Sequence, residues 1–236
     1  MRNSFLNVAP ERLLKSFSRR LGCLHDSPEA QALVRDWLGA DGWLSEIGNL
    51  NAFGMALFEN VAPVDPDAVL KSIQAAAERR PDFFELNSNR ADLVRLLRSL
   101  AYEATSFDQA VDLVAQFARS KTESNNLDGA TNVFKSMFYL FLSGTHASAK
   151  QRCAFLRKLA GANRSEDRAL VLAALDAMLE CGHFHRATPL NSVRAGATTV
   201  SIRGLGQNRR TGIAAHCRSL WNCPRCPIFA RVFVQW

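Results

Sequence analysis

From His183 to Trp236 the chain contains no aspartate, no glutamate and no lysine, yet it holds eight arginines: Arg186, Arg194, Arg203, Arg209, Arg210, Arg218, Arg225 and Arg231. All 22 acidic residues and 21 of the 29 basic ones lie before that point, so residues 1–182 carry −1 and the remainder +8. The overall pI near 9.4 therefore describes a basic tail and excludes a uniformly basic nucleic-acid-binding face on the body.

Other absences narrow the class further. No stretch approaches the ~20 apolar residues that a membrane-spanning helix needs. Met1 to Gly22 carries Arg2, Arg12, Lys15, Arg19 and Arg20 but has no continuous apolar run of the kind a secretory signal requires. An arginine-rich amphipathic start can imitate an organelle transit peptide, but Pro10-Glu11 reads better as the opening of a structural helix. A cytoplasmic protein with no membrane partner is expected. Cys23, Cys153 and Cys181 are scattered through apolar helical contexts, as small core residues in a reducing compartment would be. Strand signals are almost absent between Pro10 and Cys181.

What is present in that region is a series of helix starts. Ser27-Pro28 and Asp65-Pro66 each set a capping side chain before a proline at the first helical position. Ser106 before Phe107-Asp108, and Ser165 before Glu166-Asp167, put acids where the helix dipole favours them. Leu93, Leu97, Leu100 and Ala101 form one apolar stripe, and Phe107, Ala110, Val111, Val114, Phe117 and Ala118 form another. The short link from about Glu103 to Ser106 folds these two into an antiparallel hairpin. Further helices are expected at residues 10–21, 28–38, 43–60, 66–79, 129–142, 148–160 and 166–181. The fold class is all-α: antiparallel helical hairpins in an irregular HEAT- or TPR-like α-solenoid over residues 1–182, followed by a basic tail of little regular structure at 183–236. A compact bundle is the alternative.

Local motifs assign no chemistry. His216, Cys217, Cys223 and Cys226 include a CxxC and could supply four zinc ligands, but the adjacency of His216 and Cys217 makes tetrahedral closure awkward. Gly204-Leu205-Gly206 lacks the Lys-Ser/Thr ending of a phosphate loop. His183 and His185 have no acidic neighbour, while His25 and His146 read as surface or capping residues. In the segment Leu142 to Ala147, Gly144 is suited to a positive φ that ends one helix, and Thr145 to starting the next. Phe134, Phe138, Tyr139 and Phe141 read as core. No catalytic, cofactor-binding or metal residue is assigned, and no cofactor is expected.

The run Asn125-Asn126, then Val133-Phe134-Lys135-Ser136-Met137-Phe138-Tyr139-Leu140-Phe141-Leu142-Ser143-Gly144-Thr145-His146-Ala147, then Gln151-Arg152, resembles the C-terminal helical region of large bacterial STAND-type ATPases. Phe58 to Pro66 and Leu96 to Ala101 resemble the same region, and the likeness spans about Trp43 to Phe184. It implies a helical sensor or scaffold segment that follows a nucleotide-binding module. This chain contains no Walker A sequence, so the ATPase role passes to none of its residues.

After the His-Phe pair matching His183-Phe184, the family's pattern resembles SSxxFEFGARxRDYGxxP, from which Arg186 to Arg203 departs. Reading the codons one base earlier permits SSHSFEFGARRRDYGFDP over that stretch, because the observed amino acids largely fix two bases of each codon. A frameshift near His185 is therefore expected, and it would explain the tail's missing acids and surplus arginines together; sequencing the coding DNA there decides it.

These readings give a non-enzymatic helical fragment, truncated relative to that family, whose role is protein interaction through helical surfaces. Apolar stripes without their neighbours would favour self-association. The alternatives are an independent helical-repeat adaptor, a basic tail that binds nucleic acid nonspecifically through phosphate contacts, and a zinc module.

Overall fold

The computed structural model describes residues 11–120, 129–140, 143–162 and 164–180. Among the described residues there are nine α-helices and no strand, so the fold is all-α. They are α1 (Glu11–Leu21), α2 (Pro28–Leu38), α3 (Ala52–Val61), α4 (Pro66–Arg79), α5 (Arg90–Leu100), α6 (Ala104–Arg119), α7 (Ala130–Ser136), α8 (Ala149–Gly161) and α9 (Ser165–Leu179). The basic tail, its cysteine and histidine cluster, its glycine-rich stretch, the proposed frameshift point, Cys181, Asn125-Asn126 and Phe141 lie outside the described residues.

Capping chemistry sets several starts. The side chains of Ser27, Asn51, Asp65 and Ser148 accept hydrogen bonds from the backbone N–H groups of Ala30, Gly54, Ala68 and Gln151 at 2.8–3.2 Å. Each satisfies one of the orphan donors at a helix N-terminus. Pro28 and Pro66 open α2 and α4, as their dipeptides predict.

Several boundaries differ from the sequence expectation. Residues 43–51 are not α-helical: after Trp43 the chain makes a short 3-10 turn at Ile47–Asn49, and Asn51 then caps α3. Ser106 lies inside α6, which begins at Ala104. Ser165 is the first residue of α9, and its hydroxyl bonds the Glu166 carboxylate instead of capping the backbone. Helix α7 stops at Ser136 instead of running to 142. Gly144 does take a positive φ of 70°, but within the loop beyond that stop.

The principal packings join helices close in sequence: α1 with α3, α2 with α4, α4 with α6, α5 with α6 and α7, α6 with α7 and α9, and α9 with α7 and α8. The α5–α6 pair forms as its two stripes predict, with Leu93, Leu97, Phe107, Val111, Val114 and Phe117 fully buried. One apolar cluster runs from Leu21 to Met178. Burying each large side chain gives roughly 1.5–3 kcal/mol, so helices individually too short to persist in water hold one another.

Candidate functional site

Three arginines pin the C-terminal part of this array. Arg90, at the start of α5, donates to the carbonyls of Phe84 and Phe117 and to the Ser120 hydroxyl, and its guanidinium lies 5.5 Å from the Phe117 ring centre. It joins the loop before α5 to the end of α6. Arg119 on α6 donates through Nε to Asp167 Oδ1 at 2.6 Å, tying α6 to the first turn of α9.

Arg152 is the most unusual of the three. It is 3 % exposed, and Nη1 donates to the Tyr139 carbonyl at 2.9 Å while Nη2 donates to Ser143 Oγ at 2.6 Å and Thr145 Oγ1 at 2.7 Å. All three acceptors are neutral, and its Nε is buried without a partner. Burial accordingly pushes its pKa down to about 10. The guanidinium fork gathers three points of the α7–α8 loop: the Tyr139 carbonyl and the Ser143 and Thr145 hydroxyls. Thr145, expected to start a helix, instead accepts from this arginine.

A polar cleft of about 390 Å³ opens near the starts of α2, α4 and α6, lined in part by His25, Asp26, Arg35, Asp65, Asp67 and Glu103. Its acids have structural duties. Asp65 caps α4 and accepts from Arg35 Nε at 2.5 Å, Asp67 occupies the first turn of α4, and Glu103 immediately precedes α6. His25 Nε2 stands 3.2 Å from the exposed carboxylate of Asp26. Among the described residues no group of three or more His, Cys, Asp or Glu side chains is placed to hold a metal.

His146 is exposed, with its ring centre 4.3 Å from that of Tyr102 and its Nδ1 3.9 Å from Glu103. Of the two described cysteines, Cys23 departs from the core role expected of it, whereas Cys153 packs against the core cluster. Cys23 is exposed, with its thiol directed to the Arg19 carbonyl, and Cys153 is half-buried.

The feature best suited to binding lies at the other end of the described chain. Helix α1 buries Leu14, Ser18 and Leu21 against the body, and Asn60 of α3 donates to Ser18 Oγ at 3.0 Å across that seam. Leu13 and Phe17, one turn apart, remain 63 % and 47 % exposed. Phe17 lies 6.2 Å from the half-buried Trp37 of α2, and Trp37 lies 5.1 Å from Trp43, ring centre to ring centre. The tight return from Trp37 to Trp43 needs Gly42, where an added Cβ would stand 2.1 Å from the Trp37 carbonyl oxygen. Three rings thus form a chain from α1 across α2 to the following turn.

That surface was not singled out from sequence, although a signal was there. Leu13, Leu14, Phe17 and Leu21 make an apolar sector wider than one packed neighbour covers.

No protein-family model matches the chain. No curated protein and no solved structure matches it either.

Proposed function

We propose that this protein is a helical scaffold that works by binding another protein chain through the α1–α2 face, without chemistry of its own. The observation that carries the reading is the partly open aromatic chain Phe17–Trp37–Trp43, extended on α1 by Leu13. Covering Leu13 and the open part of Phe17 would contribute on the order of 1–3 kcal/mol in apolar burial. Tryptophan is among the residues that most often dominate binding energy when a partner seals it from water.

The resemblance to the scaffold region of STAND-type ATPases supports the same reading. Val133, Phe134, Met137 and Phe138, which carry much of that resemblance, are buried core, and Arg152 organises the adjoining loop. Such residues serve to hold a shape.

The test is photo-cross-linking from Phe17→p-benzoylphenylalanine in the full-length chain, with Lys158→p-benzoylphenylalanine on exposed α8 as the control position. A discrete protein adduct from position 17 that is lost on adding Leu13→Glu, and is absent from position 158, is the expected result. An equal yield from both positions, or none from 17, removes the reading.

A further inference from the structure

The charges bordering the aromatic chain say what kind of partner fits it. Arg20 lies three residues beyond Phe17 and seven beyond Leu13, so all three share one face of α1, and Arg12 adjoins Leu13. Both arginines are exposed, and neither side chain has a hydrogen-bond or ion-pair partner among the described residues. At the other end of the ring chain, Asp41 lies in the turn between Trp37 and Trp43, also exposed and also without a partner among the described residues. Among the described residues the surface therefore has an apolar middle, positive charge without a partner at its α1 end and negative charge without a partner at its Trp43 end.

A two-fold axis through the middle of such a surface lays the positive end of one copy on the negative end of the other, while the rings meet across the axis. A uniformly acidic partner would satisfy the arginines but would meet Asp41 with like charge. A uniformly basic partner would do the reverse. An anionic membrane surface would likewise favour the arginines and be repelled by Asp41.

We infer that a second copy of this chain is the partner, in an isologous dimer with Phe17 and Trp37 at its centre and Arg12 and Arg20 of each protomer facing Asp41 of the other. The inference rests on the interaction reading given above and narrows it to one occupant.

Sedimentation equilibrium of the full-length protein tests it, with thermal melting by circular dichroism to verify that each variant folds. All substituted side chains are exposed or half-exposed, so folding should survive. The wild type should dimerise at concentrations below about 100 µM. Phe17→Glu should weaken the dimer by about 30-fold or more, and Arg20→Glu or Asp41→Arg alone by about 5- to 10-fold. Combining Arg20→Glu with Asp41→Arg restores opposite charges across the two-fold and should recover most of the loss.

A wild type that stays monomeric throughout, a dimer indifferent to Phe17→Glu, or a double variant no better than either single one overturns the dimer. The cross-linking separates the two levels. An adduct of twice the chain mass supports the dimer, whereas an adduct of any other mass with a monomeric wild type rejects it while leaving the interaction reading intact. No adduct removes both.

Discussion

Two aromatic clusters in this chain have similar ring spacing and opposite fates. Phe138 stands 4.9 Å from Phe134 and 6.2 Å from both Phe107 and Phe155, and all four rings are buried among α6, α7 and α8. Phe17, Trp37 and Trp43 are spaced at 6.2 and 5.1 Å, yet Phe17 is half in water. Ring-to-ring contact is thus a poor guide to burial; what differs is whether a second layer covers the far side. The arginines divide in the same way. Arg152 spends its donors inside the molecule, whereas Arg12 and Arg20 have no partner among the described residues.

The strongest challenge to that contrast is to truncate one ring from each cluster. Phe138→Ala opens a cavity that neighbouring rings cannot close and should cost about 3–5 kcal/mol, read as a lower urea midpoint. Phe17→Ala should cost less than about 1 kcal/mol of folding stability, because much of its ring never left water. Equal losses would mean that α1 is as much a part of the core as the segment around Phe138.

Arginine supplies the next contrast. Arg152→Lys keeps a cation but replaces a planar fork by a point charge, which cannot reach the Tyr139 carbonyl and both hydroxyls together. Urea unfolding should show a loss of about 2 kcal/mol, the cost of leaving buried acceptors unmet. Arg20→Lys should change folding stability by less than about 0.5 kcal/mol. If Arg152→Lys proves equally silent, the guanidinium is not what holds the α7–α8 loop.

These differences explain which features could be read in advance. The starts of α2 and α4 were legible because Ser27-Pro28 and Asp65-Pro66 are local signals, complete within a turn of chain. The stripes of α5 and α6 were legible because periodicity reports the face on which the two helices meet, although α6 also buries Leu113 and Ala115 outside the stripe that was read. The early end of α7 was not, and the loop that follows it is held by Arg152 reaching back to Tyr139, a contact no window around residue 136 contains. The stretch 43–51 misled for a related reason. Trp43, Leu44 and Ile47 are apolar at helical spacing, but Leu44 donates its backbone N–H to the Trp37 carbonyl, and Asn51 and Gly54 form the true start of α3. The α1–α2 face was hidden by averaging: the pattern at 11–21 announces an amphipathic helix without saying that its neighbours cover only part of the apolar sector.

Three of the four described side-chain caps, those of Ser27, Asn51 and Asp65, lie in the N-terminal part, which makes Asp65 the next residue to probe. One oxygen caps α4 through Ala68 and the other accepts from Arg35. Asp65→Ala should lower stability by about 1–2 kcal/mol, nearly all of it from the cap, since Arg35 is well exposed and its ion pair is worth little. Asp65→Asn retains a capping oxygen and should recover most of the loss. If Asn is as damaging as Ala, the ion pair outweighs the cap.

The smallest expected effect comes from Glu59 on α3, the helix against which α1 packs. Partial burial, followed by the nearby Asp92 carboxylate, raises its pKa above the usual glutamate value of 4.5, against a smaller opposing pull from Arg95. A raised acid favours the folded state fully only below the unfolded pKa, and that contribution fades as pH climbs through the folded value. Glu59→Gln should therefore be slightly more stable than wild type at pH 7, by a few tenths of a kcal/mol after solvent screening, with the gain vanishing below about pH 4.5. Melting temperatures measured for both proteins at pH 4 and pH 7 decide the sign. A glutamine variant that is less stable at pH 7 would show that the carboxylate makes a net favourable contact at the α3–α5 boundary, and the N-terminal seam would then be electrostatically tighter than its open apolar face suggests.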